Sequence, residues 1–212
     1  MLVNGQIETS QADSQILHPG SRSLFRFWEQ TRGDQSAPSR EAIDLKPIRH
    51  IVSHLAIIEK KAGTRAYRWR LAGTSVCEIF RKEITGQDVL IGWDMFERDI
   101  IARFLEGVLT DLQPCVMRFR FHTDTGQLIG CELIALPVVA SNGTVQIIAG
   151  LFAFREIHTL GYGAVTGREL SGARAIWTEH LPGDRLVEQL AHTPSAAAYR
   201  PFQVIAGGRA KS

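Results

Sequence analysis

Apolar and polar residues alternate with a period of two at Tyr67, Trp69 and Leu71, with Arg68 and Arg70 between them. This pattern predicts a half-buried strand. Ala72-Gly73 breaks it, Thr74 stands where a helix N-cap is expected, and Val76, Ile79 and Phe80 predict a short helix closed by Thr85-Gly86. Upstream, Leu24, Phe27 and Trp28 recur at i, i+3 and i+4, which predicts a helix capped by Ser21 or Ser23 and ended by Gly33. That helix is read as a lid on its own domain, with a dimer contact as the alternative. Residues 38–53 contain Pro47 at a first helical position and Ile48, Ile51 and Val52 on a buried side. Residues 55–59 form a short apolar strand, expected to make a hairpin with the strand at 67–71.

The widest apolar face belongs to residues 100–112. Ile100, Phe104, Val108 and Leu112 repeat every four residues, flanked by Ile101, Leu105 and Leu109, while Arg103, Glu106 and Asp111 take the other side. A face this broad needs a sheet to pack against. Three strands follow: one holding Cys115, Met117, Phe119 and Phe121, one over 128–139 and one over 145–154, the last two joined by Ser141-Asn142-Gly143. The last two strands are apolar on both faces, so the sheet is expected to be covered on both sides or to pair with another chain. From about residue 157 the chain becomes rich in Gly, then in Pro and Ala, and reads as an irregular extension with a short helix over 184–191 and docking through Trp177 and Leu181. Residues 1–20 read as a flexible arm.

Composition narrows the classes without selecting a ligand. The 212 residues are 44% apolar and 22% charged with a formal charge of +2, so bulk charge makes no case for nucleic acid or an acidic membrane. No apolar run reaches the roughly 18–20 residues that span a bilayer. The N-terminus lacks the basic-then-apolar order of a secretory signal. Three cysteines without C-x-x-C spacing argue against a disulfide framework or a structural zinc site. A cytoplasmic location is expected.

The order of elements resembles a PAS domain. The wording is similar to that of a bacterial, alphaproteobacterial-type stand-alone PAS-like family with an RLAGT…F…TG signature, here Arg70-Leu71-Ala72-Gly73-Thr74, Phe80 and Thr85-Gly86. Phe27-Trp28 and the run from Glu132 to Pro137 add to the likeness, which covers about residues 22–156. It implies an α+β fold: a five-stranded antiparallel sheet, short helices and one long helix. The domain is expected over 21–156, with the flexible arm before it and the extension 157–212 after it.

The resemblance also implies a cavity between sheet and long helix, with Trp69, Leu71, Val76, Phe80, Phe104, Val108, Met117, Phe119 and Leu133 as candidate walls. Large apolar side chains at such spacing also simply fill cores, and that reading is preferred. Cofactors common to the family lack their signatures: Cys77 stands outside any Asn-Cys-Arg-Phe-Leu-Gln motif, and residues 100–112 hold no histidine for haem, which leaves only His122 on a strand as an axial ligand. His50 and His54 stand four apart but lack a third ligand and read as a solvated helix face. Cys115, His122, Cys131 and Glu132 could be drawn into a catalytic group, but strand alternation separates them in pairs. Arg65, Arg68, Arg70, Arg118 and Arg120 would form a basic stripe if their strands were neighbours; a solvated face offset by Glu59, Glu83 and Asp88 is the simpler reading.

Together these point to a non-enzymatic sensory or regulatory protein without cofactor or metal, working as a homodimer or on a signalling-protein partner. Trp28, Arg68, Arg70, Arg118 and Arg120 are its candidate contacts. A small apolar ligand is allowed for, while membrane and nucleic acid are not expected as partners. The alternative is a small-molecule binding protein or enzyme using the same cavity.

Overall fold

The computed structural model describes residues 15–61, 63–64, 66–155 and 163–176, all within the compact unit Met1–Glu179. They form an antiparallel sheet of six strands: β1 (Leu55–Lys60), β2 (Tyr67–Ala72), β3 (Cys115–Thr123), β4 (Leu128–Val139), β5 (Val145–Ala153) and β6 (Val165–Ala175). Their spatial order is β2-β1-β5-β4-β3-β6. Helices α1 (Pro19–Arg32), α2 (Thr74–Phe80) and α3 (Met95–Thr110) and two 3-10 segments, Arg40–Ala42 and Lys46–His54, cover the faces.

Alternation along β4 and β5 decides what lies on each face. Cys131, Leu133 and Ala135, with Ile147, Ala149 and Leu151, point to one core, which α2 and α3 close with Val76, Ile79, Ile101, Leu105 and Val108. Ile134 and Leu136, with Ile148 and Phe152, point to the other, which α1 closes with Leu24, Phe25 and Trp28. Both faces are therefore covered within one chain, the first of the two outcomes expected for strands apolar on both sides.

The local signals behave unevenly. Gly33, at φ 54°, ends α1 as its position predicts. The cap at the other end is not a serine: His18 Nδ1 accepts from the Gly20 N–H at 3.0 Å, and Ser21 and Ser23 lie inside the helix. In α2 the cap is Gly73 without a side-chain bond, and Thr74 is the first helical residue. Asp94 caps α3, accepting from Glu97 N–H at 2.8 Å, so that helix begins a turn earlier than the apolar pattern suggests. Within it the buried ridge is Ile101, Leu105 and Val108, with Ile100 and Phe104 on the flank.

Two readings are corrected. The sheet has six strands, not five: β6 pairs with β3 from Cys115↔Ala175 to Thr123↔Val165, across a segment that Gly167 and Gly172 made look like loop. Its side chains are half-buried or exposed with no clear alternation, so it is held by backbone pairing and leaves little hydrophobic trace. The arm expected over 1–20 is anchored from residue 15 onward, with Ile16 fully buried. The expected helix at 184–191 and the docking of Trp177 and Leu181 lie outside the described residues.

Gly73 makes the corner between β2 and α2 possible. Its N–H donates to Leu55 O at 2.8 Å, and a Cβ built on it would lie 2.2 Å from the Ser53 carbonyl oxygen. Backbone cannot yield as a side chain does, so Gly73→Ala is expected to cost about 1–3 kcal/mol or more in thermal unfolding. Gly172→Ala, with nothing within 4 Å of its Cβ position, should change stability by less than about 1 kcal/mol, in the stabilising direction. Equal effects of the two would refute this account of the corner.

Candidate functional site

The space between sheet and long helix is occupied by rings. Trp93 packs on Phe119 at 4.8 Å between centroids and on Phe121 at 6.1 Å; Phe80 meets Phe121 at 5.4 Å and Trp69 at 6.4 Å. All are tilted pairs, the arrangement aromatic quadrupoles favour. The cavity left among them is about 20 Å³. Trp69, Phe80, Met117, Phe119 and Leu133 line it, as their pattern suggested, and Val76 and Val108 belong to the same core without reaching it.

Two predicted walls lie elsewhere. Leu71 is 56% exposed because the β1–β2 register shifts between Ile57 and Ile58, so that Leu71 pairs with Ile57 and Trp69 with Ile58. Arg70 is thus an extra residue, and alternation restarts out of phase. Phe104 is half-buried and borders a separate groove with Arg103, Gly107 and Gln113.

Ile58, Ile101, Leu105 and Leu151 also line it, from elements read as core, and so do Val89 and Trp93, from a stretch with no periodicity, Phe121, from the strand that carries Met117 and Phe119, and Arg168, from the overlooked β6. Arg168 lays its guanidinium over Phe80 at 5.1 Å and Trp93 at 5.8 Å and donates to the Ile91 carbonyl. Burial lowers its pKa from the usual arginine value. Gly92, at φ 81°, leaves the room it needs, since a Cβ there would lie 3.2 Å from the guanidinium carbon. A cation from the edge strand thus closes the mouth of the apolar chamber.

The opposite face carries the polar chemistry. Glu132 is fully buried and accepts from the N–H groups of Leu17 and His18 at 3.0 and 2.8 Å and from Arg118 Nε at 3.1 Å. Arg118 also donates to Gln15 O at 2.5 Å. A carboxylate in the sheet therefore holds the segment entering α1. Next to it the imidazoles of His18 and His54 both stack on Phe152, at 4.9 and 5.2 Å. His54 Nδ1 lies 3.2 Å from Ser53 Oγ, which itself accepts from Ser75 Oγ at 2.9 Å. Burial lowers the pKa of both rings, opposed for His18 by Glu132 and for His54 by Glu78.

The other candidates are dispersed. Trp28 is buried, donating to Pro137 O at 2.7 Å, so it offers no free contact surface. The arginine stripe does not form, because β2 and β3 are separated by β1, β5 and β4. Arg68 and Arg70 pair with Glu59, Arg118 with Glu132 and Arg120 with Glu169. Cys115 and Cys131 are buried and their thiols are pushed up to about 12 by desolvation, which makes them unreactive. His122 lies beside Glu169 on the exposed side of β3, and Arg65 is outside the described residues.

Two tests follow from the buried carboxylate and the neutral imidazole. Glu132→Ala strands Arg118 and two N–H groups and is expected to cost about 3–5 kcal/mol, with faster hydrogen exchange at Leu17 and His18; unchanged exchange there would discount the clamp. His18 can cap α1 only with Nδ1 unprotonated. Its folded pKa lies below the ordinary 6.5, so the unfolded chain takes up the proton first. The stability is present above about pH 6.5 and is lost as pH falls through the lowered folded value. Melting temperature should fall between pH 7 and 5, and less steeply in His18→Asn, which caps without titrating. Parallel pH profiles would rule this out.

The family comparison agrees with this architecture. A PAS domain model matches residues 16–153, from the buried Ile16 to the last residue of β5. No curated protein matches the sequence. The match spans more than half of the 212 residues and ends before β6, so Arg168 lies beyond it. With the sheet, its two covered faces and this match in hand, the chain belongs to the PAS domain family, a family of sensory and regulatory modules.

Proposed function

We propose that this is a regulatory PAS module of the bacterial stand-alone kind, acting in the cytoplasm through protein–protein contact and not through catalysis. The observation that carries the reading is the inner chamber of about 20 Å³, room for about one water and far below the ~300–1,000 Å³ of small-molecule sites. Its lining rings pack on one another, and Arg168 stands at its mouth. Such a core serves as a rigid support, and the surface is left to carry the signal. Ile91, in the loop before α3, and Met95 and Phe96, in its first turn, are 52%, 81% and 75% exposed, apolar side chains suited to a second copy of the chain or a signalling partner. A small molecule would modulate such contact only by binding two states unequally.

Native mass spectrometry of the freshly purified protein is expected to give twice the chain mass with no added component. The double variant Met95→Asp, Phe96→Asp should weaken self-association about tenfold or more, since each exchanges buried apolar area for a desolvated charge. A mass increment held by the folded protein and lost on unfolding would overturn the filled-core reading. A monomer at every concentration, with no partner recovered from its own cells, would overturn the interaction reading.

A further inference from the structure

A cavity bordered by described residues opens on the outer face of the sheet, away from the ring-filled core. It opens between the first turn of α1, the Lys46–His54 segment, α2 and the end of β5, and measures about 620 Å³, well within the ~300–1,000 Å³ of small-molecule sites. We propose that this groove binds a small aromatic carboxylate. The proposal concerns a different face from the inner chamber and does not depend on the contact reading above.

The floor is apolar. Ile51 and the edge of Phe152 are buried beneath it, and Phe154 is 45% exposed, its ring tilted 60° against His18 at 5.7 Å. An exposed ring over an apolar floor suits a flat, apolar body better than a branched or hydrated one.

The rim is rich in donors. Ser75 donates to Ser53, whose Oγ lies 3.2 Å from His54 Nδ1. Burial lowers the pKa of this ring, and a neutral imidazole offers one N–H donor and one acceptor nitrogen, so with Ser53 donating to Nδ1 the donor is Nε2. Arg155 and His50 are exposed in the lining, and Arg155 has no carboxylate partner among the described residues. Glu78 is the one carboxylate of the lining, set against a guanidinium and three imidazoles. A guanidinium and imidazoles in one lining match the two oxygens of a carboxylate. The donor balance argues against a cationic ligand, and the apolar floor against a bare inorganic anion.

The test uses the full chain at pH 7 with sodium benzoate as probe, benzamide as its neutral isostere and inorganic phosphate as the anion without a ring. Imidazole ring signals are followed by NMR during each titration. Benzoate is expected to move the His50 and His54 signals saturably while the Trp69 and Trp93 indole signals of the inner core stay in place. Benzamide and phosphate should leave all of them unmoved at equal concentration. Arg155→Gln and His54→Gln should each weaken benzoate binding about tenfold or more, with the Trp28 indole N–H signal reporting that the outer core is intact. Equal binding of benzamide or phosphate, benzoate shifts confined to the inner tryptophans, or variants that bind benzoate like the parent would each overturn the proposal. If a variant disturbs Trp28, the wild-type contrast among the three probes decides by itself.

Discussion

A sheet whose two innermost strands are apolar on both faces must be covered twice, and the rest of the molecule is arranged to meet that demand. β4 and β5 place Ile134, Leu136, Ile148 and Phe152 on one side and Leu133, Ala135, Ile147 and Leu151 on the other. Leaving either set in water would forgo on the order of 1.5–3 kcal/mol for each large side chain. The long helix and α2 meet the demand on the inner face. On the outer face it falls to α1, whose entrance is held by the buried Ile16. Glu132 adds a polar anchor to the same segment. It is the one charged residue inside β4, and burial without partners would make it very costly. Its bonds to Arg118 and to the N–H groups of Leu17 and His18 satisfy the charge and dock the helix entrance in the same step.

Phe152 joins the two halves of that outer face. Gly20 and Gly150 stand beside it where a Cβ would lie 2.4 and 2.6 Å from ring atoms, so α1 and β5 approach it as closely as backbone permits. His18 and His54 stack on the ring from two different elements. The resulting contact is apolar in its faces and polar at its edges. It holds the entrance of α1, and the cap that His18 supplies there requires Nδ1 to be unprotonated.

The two faces therefore differ in what they can do. The inner one is a set of tilted rings with almost no space, sealed by a cation from a strand that lies beyond the family match. Packing of this density transmits displacement and does not absorb it, which suits a module that responds through its surfaces. The outer one is open, donor-rich and adjacent to the helix entrance. Events there would reach α1 directly through His18.

Most of the frame was legible in the sequence because it rests on local rules. The alternation in β3, the two-faced runs of β4 and β5, the Asn142-Gly143 turn and the broad apolar face of α3 each state a period and a partner within a few residues. The RLAGT corner was legible too, since a glycine there answers a backbone contact. What only the tertiary structure decided depends on contacts between residues far apart in the chain. β6 owes its existence to pairing with β3 and carries no hydrophobic period of its own. A bulge turned Leu71 outward, and the strand order kept Arg68 and Arg70 away from Arg118 and Arg120. Glu132 looked like a candidate for chemistry, but its neighbours are two backbone N–H groups more than a hundred residues away. The groove of His18, His54 and Arg155 has no motif because its lining comes from four separate elements. Periodicity reports which face of an element is apolar; it does not report which other element will meet that face.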